Sequence, residues 1–404
     1  MIHPTRDALP ELLCQWHREG TPWLPAGLAS RLAWGPTVQT PCERLSVGRL
    51  DRILEHNPGD FTITVEAGAP LLEVQRVLAS HGQWLAVDPP WGTHPLADPK
   101  GSRSGGSMGG LVARGLAGGY RQRYLGLRDQ LIGIGLVRAD GTAARAGGRV
   151  VKNVAGYDLM RLLAGSWGSL ALITELSLRT LPIPPHRAGL LVQGEAQLLA
   201  ALATGLSQST LTPERIDWWS APLAEAAGLE EAPALLIALA SVEASCLQDQ
   251  LGAVARLTEL SSRALSREEV EALLQEGRGG PLTAAPPIWL LRVGVNPDRA
   301  PLVLGKAATL GLKLELGAGS GLGMAWSEAA IPTAGVEALR ALCQELGGYL
   351  TVLLQPEDSQ LVAWPDAPAK GLMEAVKHQF DPEDQLSPGR LPGVARPAHP
   401  IAAR

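Results

Sequence analysis

The stretch Gly101–Asp129, GSRSGGSMGGLVARGLAGGYRQRYLGLRD, holds eight glycines in its first nineteen residues. Main chain that bare belongs either to a flexible linker or to a place where something approaches the backbone closely. Residues 101 to 106 alone fit a linker. Met108, Leu111, Val112 and Leu116, however, are interleaved with the later glycines, and a solvated linker has no use for side chains that need burial. The stretch therefore reads as a packed turn whose glycines let the backbone touch a ligand.

A pyrophosphate suits such a turn, because successive backbone N–H groups form a nest for concentrated negative charge. Ser107-Met108-Gly109-Gly110 offers a hydroxyl followed by paired glycines. The nicotinamide-type GxGxxG fingerprint fails here. Gly133 and Gly135 lack a third glycine, Gly317, Gly319, Gly321 and Gly323 have the wrong spacing, and no GK[ST] of a Walker loop occurs.

Other classes are excluded by composition. A net charge of −5 leaves no basic face for nucleic acid. The opening MIHPTRDALPELLCQWHREG has no signal-peptide core, and the longest apolar run, Ala232–Ala240, is too short to span a bilayer. Cys14, Cys42, Cys246 and Cys343 stand at least 28 residues apart, so no pair has the spacing of a zinc, redox or iron–sulfur ligand set, and no metal is expected. Electrons leaving such a chain need an acceptor on another subunit.

Along the chain, short strands alternate with helices. In DFTITVEAGAPLLEVQRVLASHG, Phe61, Ile63 and Val65 alternate with threonines as in a half-buried strand, and Pro70 opens a helix ending near Gly82. DQLIGIGLVRADGTAARAGG reads as a hairpin turning at Asp140-Gly141. Leu159, Leu162 and Leu163 are placed on one face of a short helix stopped by Gly165, and Leu170–Leu176 on a central strand. The prolines of Leu181–Pro185 mark a boundary. Beyond it, helices are expected around Leu199–Leu206, Leu247–Leu257 and Val336–Leu346. Strands are expected at 235–239, 288–295, 313–316, 324–326 and 349–354. Ser266 with Glu269 fits a capping box.

A second segment, VVKNVAGYDLMRLLAGSWGSLALITELSLRTLP from Val150 to Pro182, joins the glycine stretch in a larger pattern. Together with GDFTITVEAGAPLLEVQRVLASHGQ, LGLRDQLIG and FDPEDQLSPGR, it resembles the PCMH-type FAD-binding domain of the vanillyl-alcohol oxidase superfamily. The motif order is similar to that of the FAD-binding subunits of bacterial glycolate oxidase (glycolate dehydrogenase) complexes. The resemblance implies an α+β fold: a PCMH-type domain of two α+β subdomains at 1–183, a smaller cap-like α+β domain at 184–370, and a segment at 371–404 that returns to the FAD site and ends in a frayed tail.

It also implies where the cofactor lies. FAD would be extended between the subdomains, its pyrophosphate on main-chain amides of two loops: Gly27-Leu28-Ala29-Ser30-Arg31, and Ser107-Met108-Gly109-Gly110 with Ala113 and Gly115 behind. Gly165, Gly168 and Ser169 would close over it, Ile173 would meet it through backbone, and Pro388-Gly389-Arg390 would return the chain to it. No His or Cys lies in 27–31, so binding is expected to be noncovalent.

The function implied is that of an FAD-dependent oxidoreductase acting on CH–OH groups in glycolate catabolism, with a small 2-hydroxy acid as substrate and glycolate becoming glyoxylate. It would work beside a catalytic flavin subunit and an iron–sulfur subunit. The place expected is the cytoplasm, at the inner membrane only peripherally through those partners. Catalytic relatives use a histidine-rich metal cluster in the second domain. Here no two of eight histidines lie within ten residues and none falls between 187 and 377. The catalytic residues are thus undetermined, with Tyr157, Lys152 and Arg390 as candidates. For Tyr157 and Lys152 cofactor positioning outweighs proton transfer. A stand-alone FAD-dependent alcohol or 2-hydroxy-acid oxidoreductase and a flavin-free structural subunit remain as alternatives.

Overall fold

The computed structural model describes residues 1–38, 41–90, 105–116, 118–148, 157–279 and 287–395. The chain forms two compact units, one of Met1–Ala117, Leu125–Ile183 and Val362–Arg404, the other of Gly118–Tyr124 and Pro184–Leu361.

In the first unit, strands β1 (Trp23–Ala26) and β2 (Glu43–Ser46) pair in parallel. Strands β3 (Ile53–Asn57), β4 (Thr62–Glu66), β6 (Leu131–Val137), β7 (Ala143–Gly147) and β8 (Leu172–Arg179) form an antiparallel sheet in the order β3-β4-β8-β6-β7. Strand β5 (Gln83–Trp84) pairs separately with β9 (Leu181–Pro182). Strand β8 is central, as its continuous apolar start predicts, and the β6–β7 hairpin turns at Asp140-Gly141 with Gly141 at φ 84°. Two helices pack on this scaffold: α1 (Leu9–Glu19), burying Leu9, Leu13 and Trp16, and α2 (Leu71–Ala79), entered through Pro70.

Two expectations need correction. Phe61 is not a strand residue; it precedes β4, 39% exposed, in a left-handed conformation (φ 52°). In the helix Leu159–Leu163 the buried pair is Met160 and Leu163, whereas Leu159 and Leu162 face solvent. The helix is only five residues long, so neighbouring elements and not its own periodicity decide which side is covered.

The C-terminal part of this unit returns to β1. Trp23 N–H donates to Gln385 O (2.8 Å), and Ser387 N–H donates back to Trp23 O (2.8 Å). Lys377, on the helix Lys370–Phe380, locks the segment: its ammonium is buried and donates to Ser169 O (2.9 Å), Leu386 O (2.7 Å) and the Asp381 carboxylate.

The second unit is an eight-stranded antiparallel sheet. Its strands are β10 (His186–Gln193), β11 (Arg215–Trp219), β12 (Ala234–Ser241), β13 (Ser262–Leu265), β14 (Trp289–Gly294), β15 (Lys313–Gly317), β16 (Leu322–Ser327) and β17 (Tyr349–Leu354), in the order β13-β10-β12-β11-β15-β16-β14-β17. Helices Ala196–Gln208, Ala244–Arg256, Ala300–Thr309 and Thr333–Glu345 cover one face, around Ile216, Trp218, Ile237, Leu239, Trp289 and Leu314. The helices and strands expected beyond residue 184 are all present, and the capping box closes with Glu269 N–H on Ser266 Oγ (3.2 Å) and Ser266 N–H on Glu269 Oε2 (2.8 Å). Strands β10, β11 and β13 escape sequence reading. In RIDWW, alternation places Ile216 and Trp218 in the core and leaves Arg215 and Asp217 on the opposite face.

That face carries a buried charge network. Arg215 binds Asp217 and Glu315 (2.8 Å to the latter), and Arg187 binds Glu214 (2.6 Å), which also accepts from Tyr124 Oη (2.6 Å). Burial and the neighbouring Glu214 carboxylate push the Tyr124 phenol up from its ordinary value.

Removing one member of a buried pair leaves the other charge uncompensated, a loss of about 3–5 kcal/mol. Lys377→Met strands the Asp381 carboxylate, which is 1% exposed. A loss of this size is expected in urea unfolding followed by circular dichroism; a change of less than about 1 kcal/mol would mean the Lys377 contacts hold nothing together.

Candidate cofactor cleft

The cleft is built on the helix α3 (Met108–Arg114). Ser107 caps it, its Oγ accepting from Gly110 N–H (3.3 Å). Met108 N–H donates to Ala69 O (2.9 Å) and Gly109 N–H to Ala67 O (2.7 Å), so the helix is welded to the end of β4. A Cβ on Gly109 would stand 2.8 Å from Ala67 Cβ and 3.0 Å from Ala67 O. That approach requires glycine. At the other end, Gly165 N–H and Trp167 N–H donate to Val112 O (2.9 Å) and Ala113 O (2.7 Å), satisfying the last helix carbonyls. The segment that follows thereby lies beside α3.

Two adjoining pockets share Pro25, Ala26, Gly27, Leu32, Gly110 and Arg114, and together make one elongated cleft. One end is lined by Ala29, Ser30, Arg31 and Ser107, the other by Gly109, Ala113, Trp167, Gly168, Ile173 and Arg390. Most of the residues carried over from the resemblance thus come together from four separate segments. Leu28, Met108, Gly115, Gly165 and Ser169 are not on the cleft lining: Met108 is in the core, Gly115 takes the left-handed position that ends α3, and Ser169 Oγ turns back to Ser166 O (2.6 Å).

Of the catalytic candidates, Arg390 lines the cleft and Tyr157 is 87% exposed, away from its lining. Lys152 lies outside the described residues. The sequence reading overlooked Arg114 and Trp167. The Arg114 guanidinium sits 3.8 Å from the centroid of the Trp167 ring, and Trp167 adopts a left-handed backbone (φ 58°) that is costly for any residue with a Cβ.

Electrostatics set the cleft apart. Arg31 donates to Pro90 O (2.9 Å), Arg114 to Arg31 O (2.9 Å) and Trp34 O (3.3 Å), and Arg390 to Leu32 O (3.1 Å) and Trp34 O. These acceptors are all neutral carbonyls. Burial pushes Arg31 down to about 9 and Arg390 down to about 10. Burial, and then repulsion from Arg390 and Arg31, pushes Arg114 well down. A guanidinium keeps its proton in proteins, so this pressure is relieved by a bound anion. Arg390 Nε, buried without a protein acceptor, is a further donor suited to an anionic group. The cleft therefore fits an elongated anionic cofactor. Among the described residues, no three His, Cys, Asp or Glu side chains gather as a metal set.

Residues 4–147 match the family described as FAD binding domain, and FAD is the cofactor which that match assigns. The chain is 36% identical over 170 residues to glycolate oxidase subunit GlcE of Escherichia coli (strain K12), covering 42% of this chain and 43% of that protein. It is 34% identical over 183 residues to glycolate oxidase subunit GlcD of Bacillus subtilis (strain 168), covering 44% and 35%. A mitochondrial D-lactate dehydrogenase [cytochrome] of Arabidopsis thaliana is 28% identical over 207 residues, covering 50% and 34%. The match thus spans less than half the length of each of these relatives. In fold, a crystal structure of alkyldihydroxyacetonephosphate synthase superposes with a TM-score of 0.67 at 14% identity, over 96% of this chain and 75% of that one. The resemblance read from the motifs and the α+β fold class are both borne out.

Two substitutions of opposite sign test the cleft. Ala29 is held left-handed (φ 56°), so Ala29→Gly should stabilise the protein by about 1 kcal/mol, and a destabilisation would show that its methyl packs usefully. Gly109→Ala forces a methyl against Ala67 and should cost about 1–3 kcal/mol while lowering bound flavin, both read from urea unfolding and visible absorbance. Full flavin occupancy in stable Gly109→Ala protein would separate α3 from cofactor binding.

Proposed function

We propose that this chain is an FAD-dependent oxidoreductase subunit acting on the CH–OH group of a small 2-hydroxy acid, with glycolate becoming glyoxylate. The observation that carries the reading is the arginine-lined cleft, in a chain that is similar over part of its length to two glycolate oxidase subunits. Bound FAD supplies the acceptor for the two electrons and the hydrogen leaving the substrate carbon. The chain's own contribution is to hold that cofactor: Gly27, Ala29, Ser30 and Arg31 on one side, Ser107, Gly109, Gly110 and Ala113 on the other, Gly168 and Ile173 alongside, and Arg390 from the C-terminal return. Binding is noncovalent, because Gly27–Arg31 holds no His or Cys to bond a flavin.

The chain acts within a complex, beside a catalytic flavin subunit and an iron–sulfur subunit, in the cytoplasm or at the inner membrane through those partners. Three features support this: the scattered histidines, the cysteines too far apart in sequence for a cluster motif, and the likeness to proteins named as subunits. No helix among the described residues is long and apolar enough to cross a membrane.

Acid denaturation of purified protein should release FAD and no FMN into the supernatant. Release of FMN alone, or flavin retained on the precipitated chain, would overturn the noncovalent FAD reading. With FAD bound, the lone chain should reduce an artificial dye with glycolate far more slowly than the assembled complex. Equal turnover would place the whole reaction in this chain, and preference for D-lactate would change the substrate.

A further inference from the structure

Resting on the FAD reading above, we infer that the diphosphate of the bound dinucleotide is neutralised by guanidinium side chains, Arg114 and Arg390 with Arg31 at one end of the cleft, while the second glycine loop serves as a wall. The resemblance puts the diphosphate on main-chain amides of both loops. The second loop has little to give: the N–H groups of Met108, Gly109 and Gly110 donate to Ala69 O, Ala67 O and Ser107 Oγ, that of Leu111 behind them to Ser107 O, and among the described residues of the loop Ser107 N–H alone meets no acceptor. Among the described residues, by contrast, no acceptor meets the amides from Leu28 to Arg31, so the first loop keeps its donors for a ligand.

Charge must then come from side chains. Arg114 and Arg390 converge on one acceptor, the carbonyl oxygen of Trp34, which brings two like charges side by side in a partly closed cleft. Other buried charges among the described residues meet their opposites. Glu66 is paired with Arg52 and Arg6, Glu175 with Arg145 and Arg6, Glu214 with Arg187, Asp217 with Arg215, and Asp381 with Lys377. Among the described residues, Arg31, Arg114 and Arg390 have no carboxylate partner. Arg31 and Arg390 are 6% and 3% exposed, and Arg390 Nε is without an acceptor, so the cluster is a built site. A monovalent carboxylate leaves such a cluster short of charge, whereas a diphosphate brings two negative charges and several acceptor oxygens for planar, forked donors. The small walls of Gly27, Gly110 and Ala113 leave room for its bulk beside them.

The test is titration calorimetry on the full chain freed of flavin, with FAD, ADP, inorganic diphosphate and glycolate as separate probes. ADP and diphosphate should bind more weakly than FAD, all three should weaken with added salt, and glycolate should not compete with them. Arg114→Gln and Arg390→Gln should each weaken FAD and ADP about 10- to 100-fold. The lysine variants should recover part of the loss, and the exposed control Arg256→Gln should recover nothing because it loses nothing. FAD affinity within about two-fold of wild type in both glutamine variants, or displacement of ADP by glycolate, overturns the inference and leaves the flavin reading standing. Should the glutamine variants not fold, the wild type decides: a rise in melting temperature with millimolar diphosphate supports the inference, and no rise overturns it. Arginine-dependent binding of ADP and diphosphate without binding of FAD would sink the flavin reading and, with it, the inference that rests on it.

Discussion

The cleft depends on how closely α3 approaches the end of β4. With Gly109 N–H on Ala67 O at 2.7 Å there is no room for a side chain between helix and strand. Everything downstream is placed by that contact: the helix C-terminus receives the amides of Gly165 and Trp167, Trp167 lies against Arg114, and Gly168 O receives Ser387 Oγ (2.9 Å) from the C-terminal return. Residues as distant as 31, 114, 168 and 390 meet because one helix is fixed in depth and direction at its first turn. Lys377 repeats the device, tying the Ser169 carbonyl to the carbonyl of Leu386 through one buried ammonium.

The same geometry explains why the cationic cluster persists. A buried guanidinium that donates to neutral carbonyls has its hydrogen-bonding needs partly met and its charge not met at all. Arg114 and Arg390 between them satisfy the carbonyls of Arg31, Leu32 and Trp34, so they hold the first loop even without an anion. A carboxylate in their place of contact would quench the field on which an anionic cofactor depends. The network on the sheet of the second unit follows the opposite rule, with Arg187 and Arg215 matched by Glu214, Asp217 and Glu315. That network stabilises a sheet face; the unmatched one in the first unit keeps its charge for a ligand.

Sequence reading found the right stretch but not what each of its glycines stands against. Glycine density at 101–119 points to close approach, and close approach there is, but Gly109 meets Ala67 and Gly115 ends a helix. A glycine states that its Cβ would be in the way without stating of what. The central strand β8, the Asp140-Gly141 hairpin and the capping box at Ser266 were legible because each is fixed by residues within a few positions. The arginine cluster was legible only in part: Arg31 and Arg390 came with the motifs carried over from the resemblance, whereas Arg114, far from both in sequence, looks alone like an ordinary surface charge. A single basic residue closing the apolar turn MGGLVAR was the one available hint. Strand β11 was missed for a related reason: in RIDWW the polar positions are buried too, so burial no longer follows hydrophobicity.

The first loop shows how these effects balance. Ala29 occupies a left-handed conformation that costs an alanine roughly 1–2 kcal/mol, and no glycine relieves it. Against this stand the guanidinium hydrogen bonds to the carbonyls of residues 31, 32 and 34, each worth about 1.5–3 kcal/mol when the donor is charged. The bonds outweigh the strain, so the loop keeps its shape without the conformational freedom that a run of glycines would bring. A loop already shaped loses less entropy when it closes on a cofactor. A loop of Leu28 and Ala29 held by arginine contacts is therefore preorganised where a run of glycines would be flexible, and its shape depends on Arg114 and Arg390 being in place.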